Sequence, residues 1–149
     1  MNRTFFGHIT DAINKSANKV TLVAVTKSVG VEEMNEVIRA GVKAIGENRI
    51  EDAEKKFPHL LPVEKHFIGQ IQSRKIKRIV ELFDVIQSVS TIPHLLKTDE
   101  EASRQSKDIK VLLQFNISVE EQKGGFNPSD FLSANSRESA DKRETISAI

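Results

Sequence analysis

Cysteine is absent from the 149-residue chain. That excludes disulfides, thiolate nucleophiles and thiolate-bound metal, and it leaves the redox compartment unassigned by cysteine usage. No run of ~20 apolar residues is present to span a bilayer, and Met1-Asn2-Arg3-Thr4-Phe5-Phe6 lacks the apolar core of a signal peptide, so a cytoplasmic location is the expectation. Charge of either sign is not in excess. With 22 basic and 21 acidic residues the formal charge is +1, so no global field draws the protein to nucleic acid or to an anionic membrane, and any phosphate binding must be local. Neither a Gly-x-Gly-x-x-Gly nor a P-loop pattern occurs, and no paired histidine or carboxylate spacing supports a metal.

What remains is an ordinary globular balance, 38% apolar and 29% charged, which is too apolar for a disordered chain and suits one core. After a short N-terminal helix, Val20 to Thr26 is a nearly continuous β-branched run that predicts a first strand buried on both faces. Val31, Met34, Val37 and Ile38 then recur at helical spacing, with Glu32 and Glu33 in the first turn and Gly41 placed as the stop. Val42 to Ile45 predicts a second strand, and Glu51 to Lys56 a charged helix that Pro58 cannot continue. His66 to Ile68, Val85 to Val89 and Lys110 to Ile117 read as further strands, separated by helices over Lys75 to Phe83 and from Pro93 to near Lys107. Such alternation argues for parallel strands joined by right-handed crossovers. An open doubly wound sheet and a β/α barrel both satisfy it. From Ser133 to Thr145 the chain turns polar without an apolar stripe, which predicts a poorly ordered tail. The organisation expected is therefore a domain over 1–131 followed by a divergent tail over 132–149.

Parallel α/β architectures place ligands at the C-terminal ends of their strands. Lys27 directly follows the first strand. Desolvation there would lower its pKa and let the neutral amine attack an aldehyde, the alternative being a lysine that caps the strand and projects into solvent. Gly46-Glu47-Asn48-Arg49 follows the second strand, on the same predicted face; Asn48 could hydrogen-bond a ring hydroxyl, or act as an N-cap with Glu47 as a helix-start carboxylate. His66 on a buried strand reads as a core histidine as readily as a base. The basic run Arg74-Lys75-Ile76-Lys77-Arg78 lacks interleaved aromatics and reads as a solvated helix face. Gln114, Asn116, Ser118 and Lys123-Gly124-Gly125 form a last cluster, by itself a loop.

In this order, Leu-Val-Ala-Val-Thr-Lys-Ser (22 to 28), Ile-Gly-Glu-Asn-Arg (45 to 49), His-Phe-Ile-Gly-Gln-Ile-Gln-Ser-Arg-Lys (66 to 75) and Leu-Leu-Gln-Phe-Asn-Ile-Ser (112 to 118) resemble the pyridoxal phosphate homeostasis protein family. The match continues through Glu120, Lys123, Gly125 and Phe126. The resemblance implies an α/β fold like the barrel domain of alanine racemase, with about the first five β/α units of a TIM-type barrel's eight. It implies pyridoxal 5′-phosphate as the cofactor, Lys27 as its Schiff-base lysine, and Asn48 beside the pyridine ring. His66, Asn116 and Lys123 would line or border the pocket. Arg74 departs from the asparagine common in the family.

The resemblance implies a cytosolic carrier or regulator of the cofactor pool, so binding rather than catalysis is expected. A racemase, the competing enzyme reading, needs a second acid/base opposite the lysine, usually a tyrosine, and the sequence has none. A complete barrel takes about 250 residues, and the segments that hold the phosphate in the family have no counterpart here. A shortened gene product without binding capacity is thus a third expectation. It would leave two sheet edges and a barrel interior rich in Val, Ile and Leu open to solvent, so the chain should be a monomer or associate weakly through those edges.

Overall fold

The computed structural model describes residues 3–17, 19–118 and 124–129. The elements are α1 (Arg3–Lys15), β1 (Val23–Val25), α2 (Val31–Arg39), β2 (Ala44–Glu47), α3 (Ile50–Lys56), β3 (Glu64–Phe67), α4 (Ile76–Leu82), β4 (Val85–Val89), α5 (Ile92–Arg104) and β5 (Lys110–Leu113). All strand pairs are parallel and the order across the sheet is β1-β2-β3-β4-β5. A doubly wound sheet reverses its strand order at a switch point, whereas here each strand lies beside the last. The chain therefore forms a five-stranded arc of a β/α barrel.

One face of the arc is closed by helices. Met34 of α2, Ile45 of β2, Ile79 and Val80 of α4 and Phe83 are fully buried there, and Leu22, Ala24, Phe67, Ile86, Val111 and Leu113 contribute the strand side. Phe83 meets Phe57 and Phe67 edge to face, each at 5.2 Å between ring centroids, the favoured aromatic geometry. Alternation along the strands puts Val23, Gly46, His66 and Ile68 on the other face. A Cβ at Gly46 would stand 3.2 Å from Ile68 Cδ1 and 3.4 Å from Val23 Cγ1.

Four expectations need correction. The first strand is three residues long, not seven, and is not buried on both faces: Val20 is 49% and Val25 57% exposed. Among the described residues β1 pairs with β2 alone, so one edge and one face lack cover. The second strand begins at Ala44 rather than Val42, because Gly41 (φ +105°) ends α2 in a Schellman turn. In that turn the Gly41 and Val42 amides donate to Ile38 and Val37. The third concerns the open face. Val23, Val25, Ile68 and Leu112 lie on it, but its middle is polar, where Glu64, His66, Gln87 and Lys110 are hydrogen-bonded in series. Strand β5 also closes at Leu113, beyond which Phe115 makes a single parallel bridge with Phe126. The tail expected over 132–149 lies outside the described residues. Among those described, no helix is long and apolar enough to cross a membrane.

Candidate functional site

The C-terminal ends of the strands carry the residues singled out by the sequence. Lys27 begins the turn after β1 and is exposed, as the solvent-facing alternative had it, and is not desolvated by the strand's apolar surroundings. Its neighbour Thr26 is 2% exposed. The Thr26 amide donates to Gly46 O at 3.0 Å, and its carbonyl accepts from Val29 N at 3.2 Å, which closes the turn holding Lys27. Asn48 follows β2 and is also exposed. Val25 is paired with Gly46, so counting on two residues along each strand brings Lys27 and Asn48 to the same level of the sheet. No hydrogen bond or ion pair joins their side chains.

Asn48 is fixed through its main chain. A Cβ on Gly69 would lie 2.2 Å from Asn48 O, so only glycine allows this approach between the β2 and β3 loops. The Gly69 carbonyl in turn accepts from Ser88 Oγ at 2.5 Å. Asn48 lines a cleft of about 490 Å³ with Arg49, Phe67, Gln70, Gln72 and Lys75; Lys27 is not in its lining. The cap of α3 is Arg49, without a side-chain cap hydrogen bond, and Glu47 ends β2 fully buried. Both the N-cap role considered for Asn48 and the helix-start role considered for Glu47 are thereby replaced.

His66 is 6% exposed on the open face. Its Nδ1 lies 2.7 Å from Gln87 Nε2 and its Nε2 2.9 Å from Glu64 Oε2. An amide donating to Nδ1 leaves the imidazole proton on Nε2, directed at the carboxylate. Lys110 Nζ donates to the other Glu64 oxygen at 2.8 Å. Those donors, Lys110 first and His66 second, hold the Glu64 carboxyl below its ordinary range, and Glu64 raises Lys110. His66 is thus a bonded member of a face-spanning chain, as its core reading anticipated. No cluster of three or more metal-ligating side chains occurs among the described residues.

Two cations of the basic run at the start of α4 are ion-paired, Lys75 with Glu51 at 2.5 Å and Arg78 with both Glu54 and Glu81, while Lys77 is exposed on the helix face. Arg74 is exposed. The loop after β5 holds a second cleft of about 490 Å³, lined by Gln114, Phe115, Asn116, Ile117, Ser118 and Gly124. There the Asn116 amide donates to Phe126 O at 3.0 Å. Glu120 and Lys123 lie outside the described residues.

Sequence reasoning missed one group, Thr26–Glu47–Lys56. Glu47 Oε1 accepts from Thr26 Oγ1 and from Lys56 Nζ, both at 2.9 Å. A glutamate ending an apolar run was the available signal, and misplacing that strand by two residues concealed it.

The profile described as "Alanine racemase, N-terminal domain" matches residues 6–146. A "Pyridoxal phosphate homeostasis protein" of Pasteurella multocida is 33% identical over 129 residues, 84% of this chain and 55% of that protein. The chain spans about half the length of the curated relatives it matches. Among solved structures, PipY of Synechococcus elongatus superposes with a TM-score of 0.78 at 28% identity without PLP, and 0.75 at 26% with PLP bound; each comparison covers 88% of this chain and 62% of PipY. Alanine racemase of Clostridium difficile, at 12% identity and a TM-score of 0.68, shares the fold over 91% of this chain and 37% of its own. A sequential five-stranded parallel arc with these matches leaves one conclusion: the chain belongs to the alanine racemase N-terminal-domain family, among relatives named pyridoxal phosphate homeostasis proteins.

Proposed function

We propose that this chain binds pyridoxal 5′-phosphate in vitamin B6 homeostasis, with Lys27 as the Schiff-base lysine and Asn48 beside the ring. The observation that carries the reading is Lys27 itself, an exposed primary amine on a fastened turn at the C-terminal end of β1, level with Asn48. The donor set fits one end of such a cofactor, an amine to meet its aldehyde and an amide to meet a ring substituent. PipY with PLP bound and the names of the curated relatives support the same reading.

When bound, the cofactor supplies an electron-accepting ring conjugated to its carbonyl carbon. The chain's own part is positional. Lys27 presents the amine, the Gly69–Asn48 approach sets the neighbouring loop, and Ser88 holds that loop from below. In barrels of this type the phosphate site is commonly built by loops after strands 7 and 8, and the described strands are the first five.

Binding without turnover is the function favoured. The sequence has no tyrosine to serve as a second acid/base, and the likeness to the solved alanine racemase, at 12% identity, is to fold alone. The carrier role, a cytoplasmic setting, a monomer or weak self-association through the exposed sheet edges, and a domain boundary near 131 belong to the same proposal, the family match itself running on to residue 146.

Titration of the purified chain with pyridoxal 5′-phosphate should give a yellow imine absorption that Lys27→Ala abolishes. Identical spectra for the two proteins would refute the assignment. D-alanine formed from L-alanine by the wild type and not by Lys27→Ala would replace binding with racemisation.

A further inference from the structure

Strand β1 is a poor platform for a reactive amine. It is three residues long, pairs with one neighbour among the described residues, and ends on the half-exposed Val25. A short edge strand of this kind frays readily. The residue joining it to Lys27 is nevertheless bonded through every polar atom. The Thr26 amide donates to Gly46 O, and Thr26 Oγ1 donates to Glu47 Oε1 at 2.9 Å. The Thr26 carbonyl accepts from Lys56 Nζ at 3.1 Å as well as from Val29 N. Lys56 Nζ closes the ring by donating to Glu47 Oε1. Three elements, β1, β2 and the last turn of α3, are thus tied at the residue preceding Lys27.

Stability alone is a weak reason for this arrangement. Glu47 is fully buried and the Lys56 side chain is 16% exposed, and desolvating such a pair offsets much of its attraction, so apolar residues of similar volume commonly serve a core as well. Glu47 Oε2 is buried without a hydrogen-bond partner among the described residues, a further cost that a purely structural contact would shed. What the carboxylate does supply is one fixed geometry at Thr26. We infer that Glu47 is a positioning residue for Lys27: acting through Thr26 and Lys56, it holds the end of β1 so that the amine projects from a fixed point instead of a fraying edge. The inference rests on the reading of Lys27 as the Schiff-base lysine.

The test uses the whole chain, pyridoxal (an aldehyde without phosphate) and borohydride. The lysine amine adds to the aldehyde carbon and water leaves, forming C=N; hydride from borohydride then reduces it to a secondary amine that survives peptide mapping. Labelling of Lys27 is divided by labelling of Lys77, an exposed lysine of α4. This internal ratio should stand well above one in the wild type. Thr26→Val keeps the side chain's shape and the Lys56–Glu47 pair, and should lower the ratio roughly five-fold, the size of one net hydrogen bond; Glu47→Gln should do the same. Thr26→Ser, which keeps the hydroxyl, should restore it. A merely structural role would move the unfolding midpoint and leave the ratio alone. Should Glu47→Gln fail to fold, the two Thr26 variants decide. A wild-type ratio well above one that Thr26→Val leaves unchanged overturns the inference and spares the Schiff-base reading. A wild-type ratio near one removes both.

Discussion

The two faces of the sheet are built from the same five strands and by different chemistry. On the helix face, Met34, Ile45, Ile79, Val80 and Phe83 exclude water completely, and order follows from close packing of apolar groups. Across the strands, Glu64, His66, Gln87 and Lys110 form a hydrogen-bonded series between Val25 and Leu112, both more than half exposed. Contact shape holds the first face and directed polar bonds organise the second. The candidate site lies at the rim where they meet, and there a buried polar tie, Thr26–Glu47–Lys56, reaches through the helix side to the base of Lys27.

If that contrast is right, Phe83→Ala should do the most damage, since it empties the centre of the helix-side core and removes two edge-to-face contacts. Urea unfolding should show a loss of about 3–5 kcal/mol. Gly69→Ala should come next. Its Cβ would lie 2.2 Å from a main-chain oxygen, an overlap that only backbone movement relieves, at a cost of about 1–3 kcal/mol. The same variant should displace the Asn48 loop and weaken cofactor retention, which ties a packing change to the site.

Smaller again is the effect of Glu64→Gln, visible as a change of slope with pH. The Glu64 carboxyl titrates below its ordinary 4.5 because Lys110 and then His66 donate to it. A depressed folded pKa adds stability above the unfolded value and loses it as pH falls through the folded one. The wild type should therefore lose melting temperature below about pH 4.5 more steeply than the Gln variant. Lys110 is raised from 10.5 by the same contact, so its contribution is in place below that pH and is lost as pH climbs through the raised value. Lys110→Met should flatten both limbs. Least of all, Leu112→Ser on the open face should alter stability by no more than about 0.5 kcal/mol; a core-sized loss would mean that the two faces are not built differently.

Much of this architecture is legible in the sequence because it is local. Strand-helix alternation, the Gly41 stop and the apolar side of α4 all depend on neighbours within a few residues. The order of the strands does not, so periodicity alone leaves barrel and open sheet equivalent; the family resemblance implies the barrel, and the side-by-side order of β1 to β5 bears it out. Lys27 and Asn48 could be placed at strand ends by counting along the chain. Glu47 could not be placed as buried, since moving β2 by two residues changes which side chains enter the core, and Val42 had gone to cap α2. The link between His66 and Gln87 depends on the register of β3 against β4, which no single stretch of sequence contains.

The most direct measurement is reductive trapping with pyridoxal 5′-phosphate itself. The chain is treated with borohydride in the presence of the cofactor, digested and mapped by mass spectrometry. The pyridoxyl group should be confined to the peptide containing Lys27 and disappear from the map of Lys27→Ala. Label spread over the surface lysines, or concentrated on a different one, would contradict the assignment.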